Sequence, residues 1–326
     1  AARVAASPAP RRAGRAVCGA AASEADASTT TTTPSGAAGA EWALSKAQVA
    51  QFQEDGFLVL EGFATLEEVA MLRRRAGELV DTFDPVTHRR AIFSTTKQAD
   101  FTDDYFYKSA NNVSFFLEEK AFNEDGSLRQ PKELSINKLG HAMHDVDPAF
   151  RAFSRSPKVA AVMRSLGYAA PTPVQSMYIF KQPHIGGEVV PHQDSSFIYT
   201  EPLSCVGLWW ALEDADRSNG CLWALPRAHK SGLRRRFMVK DGKVQFDRPA
   251  PEYDLGDFVP LECGAGTLVL LQGENVHYSA VNTSPVSRHS YSMHLVEGTP
   301  GHVWPAENWA HRPPENPWTP LYQQSA

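Results

Sequence analysis

Val190-Pro191-His192-Gln193-Asp194-Ser195-Ser196-Phe197 is the stretch on which the organisation of this chain turns. In an extended segment the side chains at i and i+2 share a face, so His192 and Asp194 present an imidazole nitrogen and a carboxylate oxygen to one point. A chain with 11 His and 37 acidic residues among 326 holds about one His-x-acid pair by chance, so the fragment alone carries little weight. Its surroundings decide.

A third ligand is available at His277, which follows the apolar run Leu268-Val269-Leu270-Leu271. Two histidine nitrogens and one carboxylate on one face of a metal, with the other positions open, form the facial triad of non-haem Fe(II) sites. In a jelly roll, strands far apart in sequence face one another across the barrel mouth, which suits the separation of His277 from Asp194. Arg288 begins another strand beyond His277. The planar fork of an arginine can hold the distal carboxylate of 2-oxoglutarate in a bidentate pair while the keto acid end chelates iron.

Composition bounds the options. The chain is 42% hydrophobic and 21% charged with a net charge of -5, as expected of a water-soluble globular protein with a substantial core. No apolar run approaches the roughly 18 residues needed to span a bilayer, and the acidic balance argues against a nucleic-acid partner. Cys18, Cys205, Cys221 and Cys263 form no Cys-x-x-Cys pair, so reduced thiols are expected. Residues 1–40 differ in kind: rich in Ala, Ser and Thr, with Arg3, Arg11, Arg12 and Arg15 and no acidic residue before Glu24. That is transit-peptide composition, and Val17-Cys18-Gly19-Ala20 resembles a stromal cleavage region, placing plastid ahead of mitochondrion. The plainer reading is a low-complexity tail on a cytoplasmic protein. Residues 41–326 are expected to form one domain.

Along that domain, Ser45 to Asp55 predicts a short helix and Phe57-Leu58-Val59-Leu60 a strand. Thr65-Leu66-Glu67-Glu68 is a capping box opening a helix with Leu66, Val69, Leu72, Ala76 and Leu79 at helical spacing. From Asp84 to Gly140 the periodicity weakens among aromatics such as Phe101, Tyr105 and Phe115, which suits a lid or an irregular packed loop. Asp147-Pro148 and Ser156-Pro157 start two further helices. After Gly167 the pattern changes to strands near Val174 to Lys181, Val189 to Asp194, Cys205 to Glu213, Cys221 to Leu225, Thr267 to Gln272 and Ser290 to Val296, separated by Gly- and Asn-rich turns. The expected fold class is mainly β with flanking α: a double-stranded β-helix, cupin-like jelly roll with N-terminal helices.

His192-x-Asp194, then Asn219-Gly220-Cys221-Leu222-Trp223-Ala224-Leu225-Pro226-x-x-His229, then His277 and Arg288, resembles the phytanoyl-CoA dioxygenase family. The likeness runs from about Phe52 to Tyr322 and includes Ile198-Tyr199-Thr200-Glu201-Pro202-Leu203 and Trp304-Pro305-Ala306-Glu307-Asn308-Trp309. It implies a 2-oxoglutarate-dependent oxygenase using Fe(II) and O2, with ascorbate as reductant, that hydroxylates a small molecule, acyl or lipid-like among the options, and releases succinate and CO2. It further implies His192, Asp194 and His277 as catalytic iron ligands and Lys138, Met177, Trp210, Ser279 and Arg288 as the 2-oxoglutarate contacts. Asp194 stands where related halogenases carry a small residue, which favours hydroxylation.

Two other functions stay open at this point. One is a non-catalytic jelly roll that senses metal and 2-oxoglutarate; the other is a cupin-like enzyme using another metal without 2-oxoglutarate, against which Arg288 speaks. His229 is expected to be structural, since a fourth protein ligand would close the site. His141, His144 and His184 either line the pocket or pack. Arg234-Arg235-Arg236 with Lys230 reads as a solvated loop ahead of a phosphate or coenzyme A contact. Trp209, Phe197 and Tyr199 read as core. The prime substrate and the oligomeric state are not legible.

Overall fold

The computed structural model describes residues 40–85, 91–92 and 104–322. The expected leader, save its last residue, lies outside the described residues, as do positions 86–90 and 93–103 of the weakly periodic segment, Phe101 among them. The described residues belong to one unit, 36–326.

Local signals start and stop the first helices. α1 (Lys46–Asp55) opens on a capping box in which Ser45 Oγ accepts from Gln48 N and Gln48 Oε1 accepts from Ser45 N at 2.9 Å. It ends at Gly56, whose φ of 83° a side chain would resist and whose N–H donates to Phe52 O. α2 (Leu66–Asp81) opens on the expected Thr65/Glu68 box and buries Val69, Leu72, Ala76 and Val80. Leu66, expected on that stripe, is the first residue of the helix and is 72% exposed. α3 (Asp104–Ser109) and α4 (Met143–Val146) are short. α5 (Pro148–Ser154) is capped by Asp147 Oδ1, which accepts from Ala149 N and Phe150 N, and α6 (Pro157–Ser165) follows.

The strands form two main sheets. The large one has the spatial order β1 (Phe57–Leu60), β11 (Leu268–Gln272), β6 (Val206–Ala211), β13 (Ser290–Glu297), β4 (Pro171–Ile179), β3 (Ile136–His141) and β2 (Val113–Leu117). The small one runs β10 (Val259–Leu261), β7 (Leu222–Ala224), β12 (His277–Ser279) and β5 (Val189–His192), and β8 (Phe237–Lys240) pairs with β9 (Lys243–Phe246) as a separate hairpin. All named pairings are antiparallel, and most sheet neighbours are far apart in sequence, as in a jelly roll.

Period-two alternation divides the large sheet into two faces. Leu58, Leu208, Trp210, Leu270, Tyr291 and Met293 point to one side, where they pack with Leu72, Phe150, Phe153 and Val162 of the helices. Phe57, Val59, Trp209, Ala211, Val269 and Leu271 point to the other, against Leu222, Ala224 and Leu261 of the small sheet. The metal-ligand candidates lie between the sheets. The weakly periodic segment is corrected here: from Asp104 it supplies α3, the edge strand β2 and its neighbour β3, so it is integral to the large sheet. Polar and aromatic residues mixed along those strands hide the alternation, and β10 and β12 are only three residues long.

Trp210 is buried on the helix face, stacked on Tyr291 at 5.5 Å and edge-on to Phe153 at 5.2 Å. Trp210→Ala should therefore cost about 3–5 kcal/mol of stability, read from the urea midpoint; a parent-like midpoint would remove Trp210 from the core.

Candidate metal centre

The two histidines meet through strand pairing. His192 ends β5, His277 begins β12, and the register places them opposite one another with ring centroids 4.3 Å apart. The expected strand to Asp194 stops two residues early: Asp194 opens a 3-10 turn, Asp194–Ser196, and its carbonyl accepts from Phe197 N and Ile198 N. Its carboxylate Oδ1 lies 3.6 Å from Nε2 of both histidines, and the three ligand atoms fall within 4.8 Å of one another.

Hydrogen bonds behind the rings set their chemistry. His192 Nδ1 lies 2.8 Å from Val190 O and His277 Nδ1 lies 3.3 Å from Asn275 O. A carbonyl only accepts, so each Nδ1 carries the proton and each Nε2 turns a lone pair to the centre. Burial pushes His277 down to about 4, keeping it neutral at physiological pH. For Asp194 burial acts in the opposite sense and would raise the pKa; the His294 imidazole facing it leads the interactions that outweigh burial and hold the carboxyl well below the usual range.

His294 is a residue that sequence reasoning missed. Its Nε2 lies 3.3 Å from Asp194 Oδ1, on the far strand β13. The signal was present: Arg288, Ser290, Ser292 and His294 alternate with Tyr291, Met293 and Leu295, a polar face against an apolar one. Opposite His294 in register stands Gly207, where a Cβ would fall 2.5 Å from Asp194 Oδ2. That oxygen is buried without a hydrogen-bond partner among the described residues. Two neutral nitrogens and a carboxylate with unused acceptor capacity are the donor set of a divalent first-row metal and fit Fe(II).

Beside the triad is a recess of about 90 Å³ lined by Met177, Trp209, Ser279, Arg288 and Ser292, among others. Arg288 is 1% exposed, yet no described acidic side chain pairs with it; its Nε donates to Gly220 O and its Nη1 to Ser290 Oγ at 2.6 Å. Burial pushes it down to about 10, so it remains a cation. Ser279 Oγ and Ser292 Oγ are buried with no hydrogen-bond partner among the described residues. The site face of β6 presents Trp209, whose ring Arg288 overlies at 5.2 Å. The expectation at Trp210 is corrected accordingly: adjacent residues of a strand face opposite ways, and Trp210 points to the helices.

A second cavity, about 1050 Å³, opens on His192 and Asp194. Lys138 lines it, buried, 3.6 Å from Met177 Sδ; burial lowers its pKa well below the usual lysine value, against the pull of Glu118. His141 lines it too, bonded to Ser109 Oγ at 2.7 Å, and Phe197, expected as core, is part of its wall. His144 instead bonds Ser176, and His229 accepts a structural place, its Nε2 3.0 Å from Gln53 O. His184 lines neither cavity.

The family model described as "Phytanoyl-CoA dioxygenase (PhyH)" matches residues 52–290. A rice (Oryza sativa subsp. japonica) protein named Phytanoyl-CoA dioxygenase 1 is 51% identical over 282 residues, covering 86% of this chain and 98% of the relative. The rat (Rattus norvegicus) Phytanoyl-CoA dioxygenase domain-containing protein 1 is 48% identical over 288 residues, 86% and 99% of the two chains. Among solved structures, the non-heme alpha ketoglutarate dependent carbocyclase SnoK from nogalamycin biosynthesis superposes with a TM-score of 0.53 at 18% identity, over 80% of this chain and 87% of that one. EctD from S. alaskensis with 2-oxoglutarate and 5-hydroxyectoine gives 0.52 at 20% identity, over 78% and 76%. At those identities the likeness concerns the fold, and the fold is the jelly roll.

Gly207→Ala should push the Asp194 carboxylate aside, an overpacking of order 1–3 kcal/mol that weakens metal affinity about tenfold or more. Calorimetric titration with Co(II) reads it; parent-like affinity would mean that Asp194 is not a ligand.

Proposed function

The chain belongs to the phytanoyl-CoA dioxygenase family, and from that premise we propose that it is an Fe(II)- and 2-oxoglutarate-dependent dioxygenase that hydroxylates a small, largely apolar molecule and releases succinate and CO2. His192, Asp194 and His277 would hold the iron. Bound iron supplies the oxidising chemistry with O2, one oxygen atom entering succinate and the other the product hydroxyl. Ascorbate serves as the reductant that keeps the metal ferrous.

The observation that carries this reading is Arg288: a buried guanidinium without a carboxylate partner among the described residues, beside two unused hydroxyls, in a recess contiguous with the triad. Burying such a charge is unfavourable unless an anion completes it. A dicarboxylate with one end on Arg288 and Ser279 and the other toward the triad would do so, with Trp209 and Met177 as walls and Lys138 as a further hydrogen-bond donor on the sheet side. His294 would orient Asp194, leaving it ionised as a ligand. The apolar cavity on the other side of the triad would take the prime substrate and exclude water from the reacting carbon. The composition of residues 1–40 supports an organelle address, plastid ahead of mitochondrion.

The full chain with Fe(II), ascorbate and air should convert 2-oxoglutarate to succinate, and His192→Ala should lose iron-dependent turnover. Arg288→Gln should raise KM for 2-oxoglutarate by about ten- to a hundredfold, as expected for loss of a charge-assisted pair, with Co(II) affinity retained. Iron-independent succinate, or an unchanged KM, would sink the assignment. Bound iron and 2-oxoglutarate without turnover, whatever substrate is offered, would favour a sensor.

A further inference from the structure

The cavity of about 1050 Å³ sits at the upper end of the roughly 300–1,000 Å³ usual for small-molecule sites. Part of its lining comes from the β8–β9 hairpin and residues 250–255, which contribute Phe237, Val244, Phe246, Pro251, Tyr253 and Leu255. Aromatic contacts connect this wall to the metal centre: His192 to Phe197 at 6.1 Å, and Phe197 to Phe237 at 5.4 Å and Phe246 at 5.9 Å. A long apolar body has a continuous surface to lie on.

One cation interrupts that wall. Arg235 lines the cavity with its guanidinium carbon 3.8 Å from the Phe246 ring centroid. No acidic side chain among the described residues pairs with it, and it is half-buried. The other two arginines of the run differ: Arg234 is exposed, and Arg236 pairs with Glu307 at 3.5 Å, bonds Asn308 Oδ1 and lies over Tyr199. The expected solvated loop therefore describes Arg234 and the exposed Lys230, and neither Arg235 nor Arg236. A guanidinium stacked on a ring, partly withdrawn from water and lacking a counter-charge, keeps its planar fork free for a carboxylate. Tyr253, in the same wall, adds a hydroxyl.

The number of charges distinguishes among acyl chemistries. A coenzyme A head carries several phosphate charges and would need several cations. The cavity's two lysines, Lys138 and Lys181, are buried, burial lowers both well below the usual lysine value, and Lys181 Nζ donates to Gly187 O. The hairpin wall adds one guanidinium with no acidic partner among the described residues, Glu252 belongs to the same lining, and the chain as a whole carries -5. We infer that the substrate is an amphiphile with a long apolar body and one carboxylate, taken as the free acid and not as its coenzyme A thioester, and that Arg235 selects the charged end. The inference deepens the oxygenase reading, on which its catalytic meaning rests, while its binding test does not need turnover.

Hexadecanoate, hexadecanol and hexadecanoyl-CoA would be titrated into the full chain by calorimetry. The acid should bind about tenfold or more tighter than either of the others, the contribution of a charge-assisted pair. Arg235→Gln should reduce the acid to the affinity of the alcohol and leave the alcohol unchanged, and Arg235→Lys should fall between. Equal binding of acid and alcohol to the parent, equal loss of both in Arg235→Gln, tighter binding of the thioester, or no binding of any probe would overturn the assignment. Selective acid binding without stimulated succinate formation would overturn the oxygenase reading and leave this one standing; stimulated turnover by the alcohol as well as the acid, unaffected by Arg235→Gln, would do the reverse.

Discussion

The Asp194 carboxylate has been taken out of water with no guanidinium or ammonium group among the described residues paired to it, and much of the centre can be understood as compensation for that. Among the described residues three imidazole nitrogens lie 3.3–3.6 Å from it; those of His192 and His277 turn lone pairs to the centre, so His294 is the one placed to donate to the carboxylate. An ionised carboxylate in a dry site is costly unless such partners or a cation offset it. The arrangement leaves one oxygen without a hydrogen bond in a space that exists because residue 207 lacks a side chain. A divalent ion between neutral nitrogens and this carboxylate would complete the electrostatics that the protein alone leaves incomplete.

The large sheet delivers both the scaffold and the site by the same alternation. Its helix-facing residues bind the N-terminal helices into a core, and its other face carries Gly207, Trp209, Ser292 and His294 toward the centre. A shift of a single residue along β6 exchanges Trp209 for Trp210, a site wall for a core ring. Register is thus a functional property here, held by the apolar face that would be exposed if a strand slipped.

Polarity is divided around the triad. The recess on one side concentrates Arg288 and two unsatisfied hydroxyls, which suits a small anion. The larger cavity is walled mainly by aromatic and aliphatic groups, with Lys138, Lys181 and Arg235 among its lining.

Much of this was legible in the sequence. The capping boxes at Ser45 and Thr65, the Asp147-Pro148 start, the apolar strands and the His192/Asp194/His277 set with Arg288 rest on local pattern, short-range hydrogen bonds and spacing, and the structure brings those four side chains to one place. Other features were not legible, because they arise between segments. The mixed composition of β2 and β3 hid the last two strands at one end of the large sheet, the face of Trp209 depended on register, His294 became significant only when β13 lay beside β6, and Arg235 stood apart from its neighbours only when Glu307 and Asn308 claimed Arg236. The sequence by itself determined which side chains have metal- and anion-binding chemistry and which segments are helix or strand, since those follow from residue type and local periodicity. Only the tertiary structure decided which of them face one another, because strand pairing across long sequence separations sets direction, burial and the counter-charges that remain unpaired.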